Sequence, residues 1–210
     1  MSLAIHRLEP HSARGRARLA KILEAATELF LKVGYEQASI DAILVQSGGS
    51  KSTLYAYFPT KEDLFRSVID GIVAHDAGAA LDIGGNARVV LTEFAVSRQH
   101  VVLSPRHRAV LGLVIAERER FPDLSRIYFE RGPHKSQRLL ATYFEALKHR
   151  EVLEIDDSDE AAEFFIGMLM QRWHKPLFYV SLPPPSEPAI REHAERVVAG
   201  FLGLYRRRPH

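Results

Sequence analysis

Residues 38–61 read ASIDAILVQSGGSKSTLYAYFPTK. Two short segments with apolar residues at helical spacing flank Gly48 and Gly49, and a glycine pair so placed forces a tight turn between two helices. Ser39 is positioned to cap the first segment, with Asp41 at its positive end, and Ser50 to cap the second. Ile40, Ile43 and Leu44 face inward from the first; Leu54 and Phe58 anchor the second. The second segment also carries Lys51, Ser52, Thr53, Tyr55 and Tyr57, all able to donate hydrogen bonds. This is the pattern of a helix-turn-helix whose second helix can enter a DNA major groove.

The flanking sequence extends the unit. Leu19, Ile22, Leu23, Ala26, Leu29, Phe30 and Val33 form one apolar face of a helix over about residues 13–33, and Gly34 follows as its C-cap. Pro59 and Thr60 break and recap the chain, and Lys61 opens a fourth helix with Leu64, Phe65, Val68, Ile69 and Ile72 on its apolar side. Residues 77–86, AGAALDIGGN, read as a loop or linker. Helices are then expected over 87–102, from Pro105 to about Arg120, and from Pro122 to about Arg150, where Gly132-Pro133 either kinks or divides the last. Residues 160–180 are apolar on most faces and expected to be buried, with Pro176 kinking or ending the helix. A final helix should run from the PPPSEP stop to about Arg207. No strand pairs or internal repeats are found, so the expected class is all-α with about nine helices. The expected division is a basic arm over 1–12, a helix-turn-helix domain over 13–60 and a larger helical domain over 61–210.

Composition narrows the function classes. The chain has 210 residues, no cysteine and a net charge of only +2. Absence of cysteine excludes disulfides, thiolate metal sites and cysteine nucleophiles and accords with a reducing cytoplasm. No apolar run is long enough to span a membrane, and MSLAIHRLEPHSARGRARL has no apolar core of a secretory signal. Residues 1–66 hold nine Lys/Arg against seven Asp/Glu, and the remainder holds nineteen of each. Arg7, Arg14, Arg16 and Arg18 crowd the start, where an arm could lie along phosphates or simply be solvated.

Residues 15–70 resemble the N-terminal domain of the TetR family of bacterial transcriptional regulators. The resemblance rests on the amphipathic first helix, Gly34-Tyr35, the capped second helix, GGSKSTLYAYF and the following TKEDLF, in order and without gaps. Three positions depart from the family pattern: Gly49 where valine is usual, Leu44 where alanine is usual and Ser52 where glycine is common. The rest of the chain is similar, more loosely, to the ligand-binding and dimerisation half of the family. RAVLGLVIAERERFPDLSRIYFERGP and FFIGMLMQRW resemble a branch tied to multidrug-efflux control.

The resemblance implies a homodimer on a pseudo-palindromic double-stranded DNA operator, with half-sites ~34 Å apart or at multiples of that spacing. It places Lys51, Ser52 and Tyr55 at base edges and Ser39, Thr53, Tyr57 and Lys61 at phosphates. It further implies a small-molecule effector held in an apolar pocket, for which Tyr128, Phe144, Phe165, Met168 and Trp173 are the candidates, Trp173 because its N–H requires a partner. On the last helix Ile190, Val197, Val198, Phe201, Leu202 and Tyr205 form one stripe, expected at the subunit interface, with Gly200 and Gly203 permitting close approach. The other reading is that the stripe covers the subunit's own core.

Repression is the family's usual mode. No cofactor is expected, and no enzyme: HExxH, GxSxG, a phosphate-cradling glycine loop and cysteine are all absent. Ten histidines leave open a metal-sensing regulator, or an all-α metal-dependent enzyme, using His and carboxylates assembled in space. His100 and His107 fall on different expected helices, and His134, His149 and His174 are scattered.

Overall fold

A computed structural model of the chain describes residues 12–73, 81–173 and 183–206. Among these residues it contains ten helices: α1 Ala13–Gln37, α2 Ile40–Ser47, α3 Lys51–Tyr57, α4 Lys61–Val73, α5 Ala87–Leu103, α6 Pro105–Glu117, α7 Pro122–Arg131, α8 Pro133–His149, α9 Ser158–Gln171 and α10 Glu187–Leu204. The all-α class is as expected. The tenth helix arises because Gly132-Pro133 divides the 122–150 segment. Extended pairing among the described residues is limited to one isolated antiparallel bridge, Leu153 with Arg206. The basic arm to residue 11, residues 77–80 of the expected linker and Pro176 lie outside the described residues.

Side-chain caps set most boundaries. Ser12, Ser39, Ser50, Asn86, Asp157 and Ser186 each accept from backbone N–H groups of the first turn that follows, satisfying donors that a helix leaves unpaired. Gly34 interrupts α1 with φ 85° and ψ 169°, a conformation open essentially to glycine alone. A Cβ there would also stand 3.1 Å from the Glu117 carboxylate. Gly34→Ala is therefore expected to destabilise the chain by about 1–3 kcal/mol, measured as a lower urea midpoint. A midpoint equal to wild type would show that this backbone relaxes freely.

The chain divides into two compact units, Met1–Gly71 with Ala109–Arg131, and Ile72–Arg108 with Gly132–His210. The first is thus larger than the expected 13–60 segment. The reason lies in its core. Phe65 of α4 meets the rings of Phe30 and Tyr35 edge-on at 5.5 Å each, and Phe121 meets Tyr35 at 5.2 Å. Arg120 pairs with Glu36, and Arg131 with Asp70 at 3.5 Å. Leu124 and Ile127 are buried.

The second unit packs α5, α8, α9 and α10 around one apolar cluster. Its centre is aromatic: Phe201 stacks on Phe144 at 4.8 Å and meets Phe165 edge-on at 5.2 Å. Of the two readings of the last helix's stripe, the burial favours cover of the chain's own core. Ile190, Val197, Val198 and Phe201 are buried within the chain's own core, and Leu202 and Tyr205 are partly buried against it. An amphipathic helix buries its apolar face against the nearest apolar surface, and here α5 and α9 supply that surface. Segment 160–180 differs from expectation: α9 buries Ala161, Ala162, Phe165 and Leu169 but leaves Phe164 54% exposed.

Candidate nucleic-acid interface

The turn between α2 and α3 is built from the glycine pair. Gly48 takes the left-handed conformation, φ 70° and ψ 35°, and its N–H donates to Leu44 O at 2.9 Å, closing α2. Gly49 donates to the same carbonyl at 3.3 Å. A Cβ at Gly49 would lie 3.1 Å from Leu44 Cδ2. The two departures from the family pattern therefore compensate each other: the larger side chain at 44 fills space that a side chain at 49 would otherwise take. Ser50 Oγ then accepts from Thr53 N–H at 3.2 Å and lies 2.9 Å from Thr53 Oγ1, starting α3.

Burial orients α3. Leu54 is wholly buried and Phe58 nearly so, which turns one side of the helix into the core, where α3 packs on α2. Lys51, Ser52 and Tyr55 consequently face outward, Tyr55 46% exposed, while Thr53 and Tyr57 are half-buried. Ser39 is exposed, and its hydroxyl accepts from Ala42 N–H at 3.1 Å. The three residues expected at base edges thus share one open face.

Two lysines are engaged in ways that spacing did not signal. Lys51 Nζ lies 2.8 Å and 3.1 Å from the two carboxylate oxygens of Asp41. That hydrogen bond and the adjacent negative charge hold the Lys51 ammonium above its ordinary pKa. Lys61 Nζ donates to Glu36 O at 3.0 Å and sits 4.6 Å above the Tyr35 ring. Burial pushes the Lys61 pKa down, against the opposing influence of Glu62, Glu36 and Glu117. Lys61 thereby ties the end of α1 to the start of α4, beyond any contact with phosphate.

The candidate pocket residues divide between the units. Tyr128 belongs to the first; Phe144, Phe165, Met168 and Trp173 belong to the second. Phe144 and Phe165 lie 6.1 Å apart within the core. Trp173 Nε1 donates to Gln99 Oε1 at 2.8 Å, supplying the partner its burial requires. Gln99, not anticipated from sequence, is wholly buried and also donates from Nε2 to Ala95 O and Ile190 O, each at 3.1 Å. Among the described residues no three His, Asp or Glu side chains are grouped so as to hold a metal ion, and no helix is long and apolar enough to cross a membrane.

Comparison with known proteins gives this geometry a family. Residues 22–68 match the model of the bacterial regulatory proteins of the tetR family, and residues 89–207 match that of the AefR-like transcriptional repressor C-terminal domain. The flavonoid-responsive regulator FrrA, of known structure, is 32% identical, with 93% of this chain and 100% of that one covered at a TM-score of 0.78. The DNA-binding transcriptional repressor TetR of Mycobacteroides abscessus is 33% identical over 76 residues, 35% of this chain and 38% of that protein. QacR of Staphylococcus aureus is 44% identical over 50 residues, 24% of this chain and 27% of that protein. Both of these matches span well under half the length of the relative. Neither family model describes an enzyme. With matching models over both units and a relative aligned along nearly its whole length, the chain belongs to the TetR family of bacterial transcriptional regulators.

Proposed function

We propose that this protein is a ligand-responsive repressor that binds a pseudo-palindromic operator as a homodimer. The observation that carries the reading is the outward face of α3: Lys51, Ser52 and Tyr55 are exposed together while Leu54 pins the opposite side. Lysine can bond guanine O6 and N7, a tyrosine ring can touch a thymine methyl, and a serine hydroxyl serves several bases. Ser39, Thr53 and Tyr57 flank that face and would set register on phosphates. Lys61 would add a phosphate contact with the donors left over from Glu36 O.

The subunit interface is assigned to the exposed side of α9 and α10. Phe164 is 54% and Leu204 72% exposed; Gly167 follows Phe164 one helical turn on, Gly203 adjoins Leu204, and both glycines are open to solvent. Such large apolar groups on neighbouring helices favour a second copy of the chain as cover. The effector is assigned to the second unit, near Met168 and Trp173, and is an apolar or amphipathic molecule. An aromatic one is favoured by likeness to the flavonoid-responsive relative. Binding would shift the protein toward an arrangement unfit for DNA only by its differential affinity for the two states.

Genome-wide binding-site selection with the purified chain, repeated with a small-molecule panel, tests the reading. A two-fold-symmetric site should emerge, and members of the panel should release it while changing the fluorescence of Trp173. Lys51→Ala and Tyr55→Ala should each weaken the selected site by about 1–3 kcal/mol and leave unrelated DNA far less affected. Selection that enriches no common sequence would refute it.

A further inference from the structure

We propose that Asp41 sets the sequence discrimination of this regulator by holding the Lys51 ammonium at the mouth of α3. The inference rests on the reading of α3 as the DNA-reading helix. Asp41 and Lys51 stand ten residues apart, on α2 and α3, and the Gly48-Gly49 turn brings them together. Both carboxylate oxygens lie within hydrogen-bond reach of Nζ, at 2.8 and 3.1 Å. Side-chain exposures of 69% for Asp41 and 60% for Lys51 make the pair a poor source of stability, since open ion pairs contribute little. Its consequence lies in where the ammonium can go.

A lysine head on four methylenes, released beside DNA, finds the nearest phosphate, and a phosphate contact carries no sequence information. Tethered to Asp41, the same ammonium has three protons. It can keep one on the carboxylate and offer the others to guanine O6 and N7. The carboxylate also repels the backbone of any duplex equally. Asp41 therefore lowers affinity for DNA in general while keeping Lys51 on the bases, which raises the ratio between right and wrong sequences. The Lys61 ammonium is committed to Glu36 O and the Tyr35 ring and is not an alternative partner for Asp41.

The test uses the full chain and two duplexes, the selected operator and an unrelated sequence, titrated by fluorescence anisotropy across salt concentrations. Asp41→Asn should tighten binding to unrelated DNA by about threefold to tenfold and reduce the operator-to-unrelated ratio by a similar factor. Its plot of log affinity against log salt should steepen by about one unit as Lys51 takes up a phosphate. Asp41→Glu should restore the wild-type ratio. In a Lys51→Ala background Asp41→Asn should leave the ratio unchanged, an outcome that a mere effect on the α2 dipole would not produce. An unchanged ratio in Asp41→Asn, or an equal change with and without Lys51, overturns the role of Asp41 while leaving DNA recognition standing. A wild-type chain that does not distinguish the two duplexes takes down both.

Discussion

Phe201→Ala is expected to cost the folded chain about 3–5 kcal/mol and to pull the urea midpoint down accordingly. Phe201 is wholly buried, stacked at 4.8 Å on Phe144 and edge-on at 5.2 Å to Phe165, and its ring also lies 4.7 Å from Tyr205. Truncation removes the transfer free energy of a large apolar ring and leaves a hole whose walls are themselves stiff aromatics, poorly able to collapse. Each lost ring pair adds about 0.5–1.5 kcal/mol beyond the buried area. The measurement should be made at fixed protein concentration, because the midpoint of an associating protein depends on it. A residue at a subunit interface would behave differently: its truncation would separate subunits and leave each one folded. A Phe201 variant that unfolds at the wild-type midpoint but sediments as a monomer would place this residue at the subunit interface.

The choice between core and interface marks a general boundary in what the sequence discloses. The spacing of apolar residues on α10 identifies a face that must be covered, but the same stripe would serve a neighbouring helix of the same chain or of another. Choosing between them requires knowing where α5 and α9 lie. Signals confined to a few consecutive residues fared better. Ser39 and Ser50 as caps, the Gly48-Gly49 pair as the turn, and Leu54 as the anchor of α3 follow from local backbone chemistry alone. The outward placement of Lys51, Ser52 and Tyr55 comes with them, because a helix with one buried anchor has few other orientations.

Tertiary pairings were not readable in this way. Asp41 was visible only as a favourable charge in the first turn of α2; its contact with Lys51 depends on the angle between two helices. Lys61 reaches back to the carbonyl of Glu36 across 25 residues of sequence. Gly49 and Leu44, each a departure when taken singly, make sense only as a pair, since a Cβ at 49 would meet Leu44 Cδ2 at 3.1 Å. The first unit likewise gains residues 109–131 through contacts such as Phe121 with Tyr35, between segments far apart in the chain.

Acid should destabilise the second unit through His107. This side chain is buried near the start of α6, and burial, reinforced by the positive charge of Arg98, lowers its pKa to about 4 despite a backbone hydrogen bond at Val102 that opposes the shift. In the unfolded chain the imidazole titrates near its ordinary value of about 6.5. Between these two values the unfolded state carries a proton that the folded state refuses. Stability is therefore complete above about pH 6.5 and declines as pH falls toward 4. One proton corresponds to about 1.4 kcal/mol per pH unit, so the full loss is on the order of 3 kcal/mol. His193 is shifted in the same direction, chiefly by burial, and adds to the slope. Urea denaturation from pH 7.5 to 4.5, comparing wild type with His107→Gln, isolates the first contribution. Glutamine does not titrate, so the variant should lose stability less steeply by close to one proton, even if it starts from a lower value at pH 7.5. Parallel curves for the two proteins would mean that His107 takes up its proton in the folded chain as readily as in the unfolded one, and that the acid sensitivity of this unit resides elsewhere.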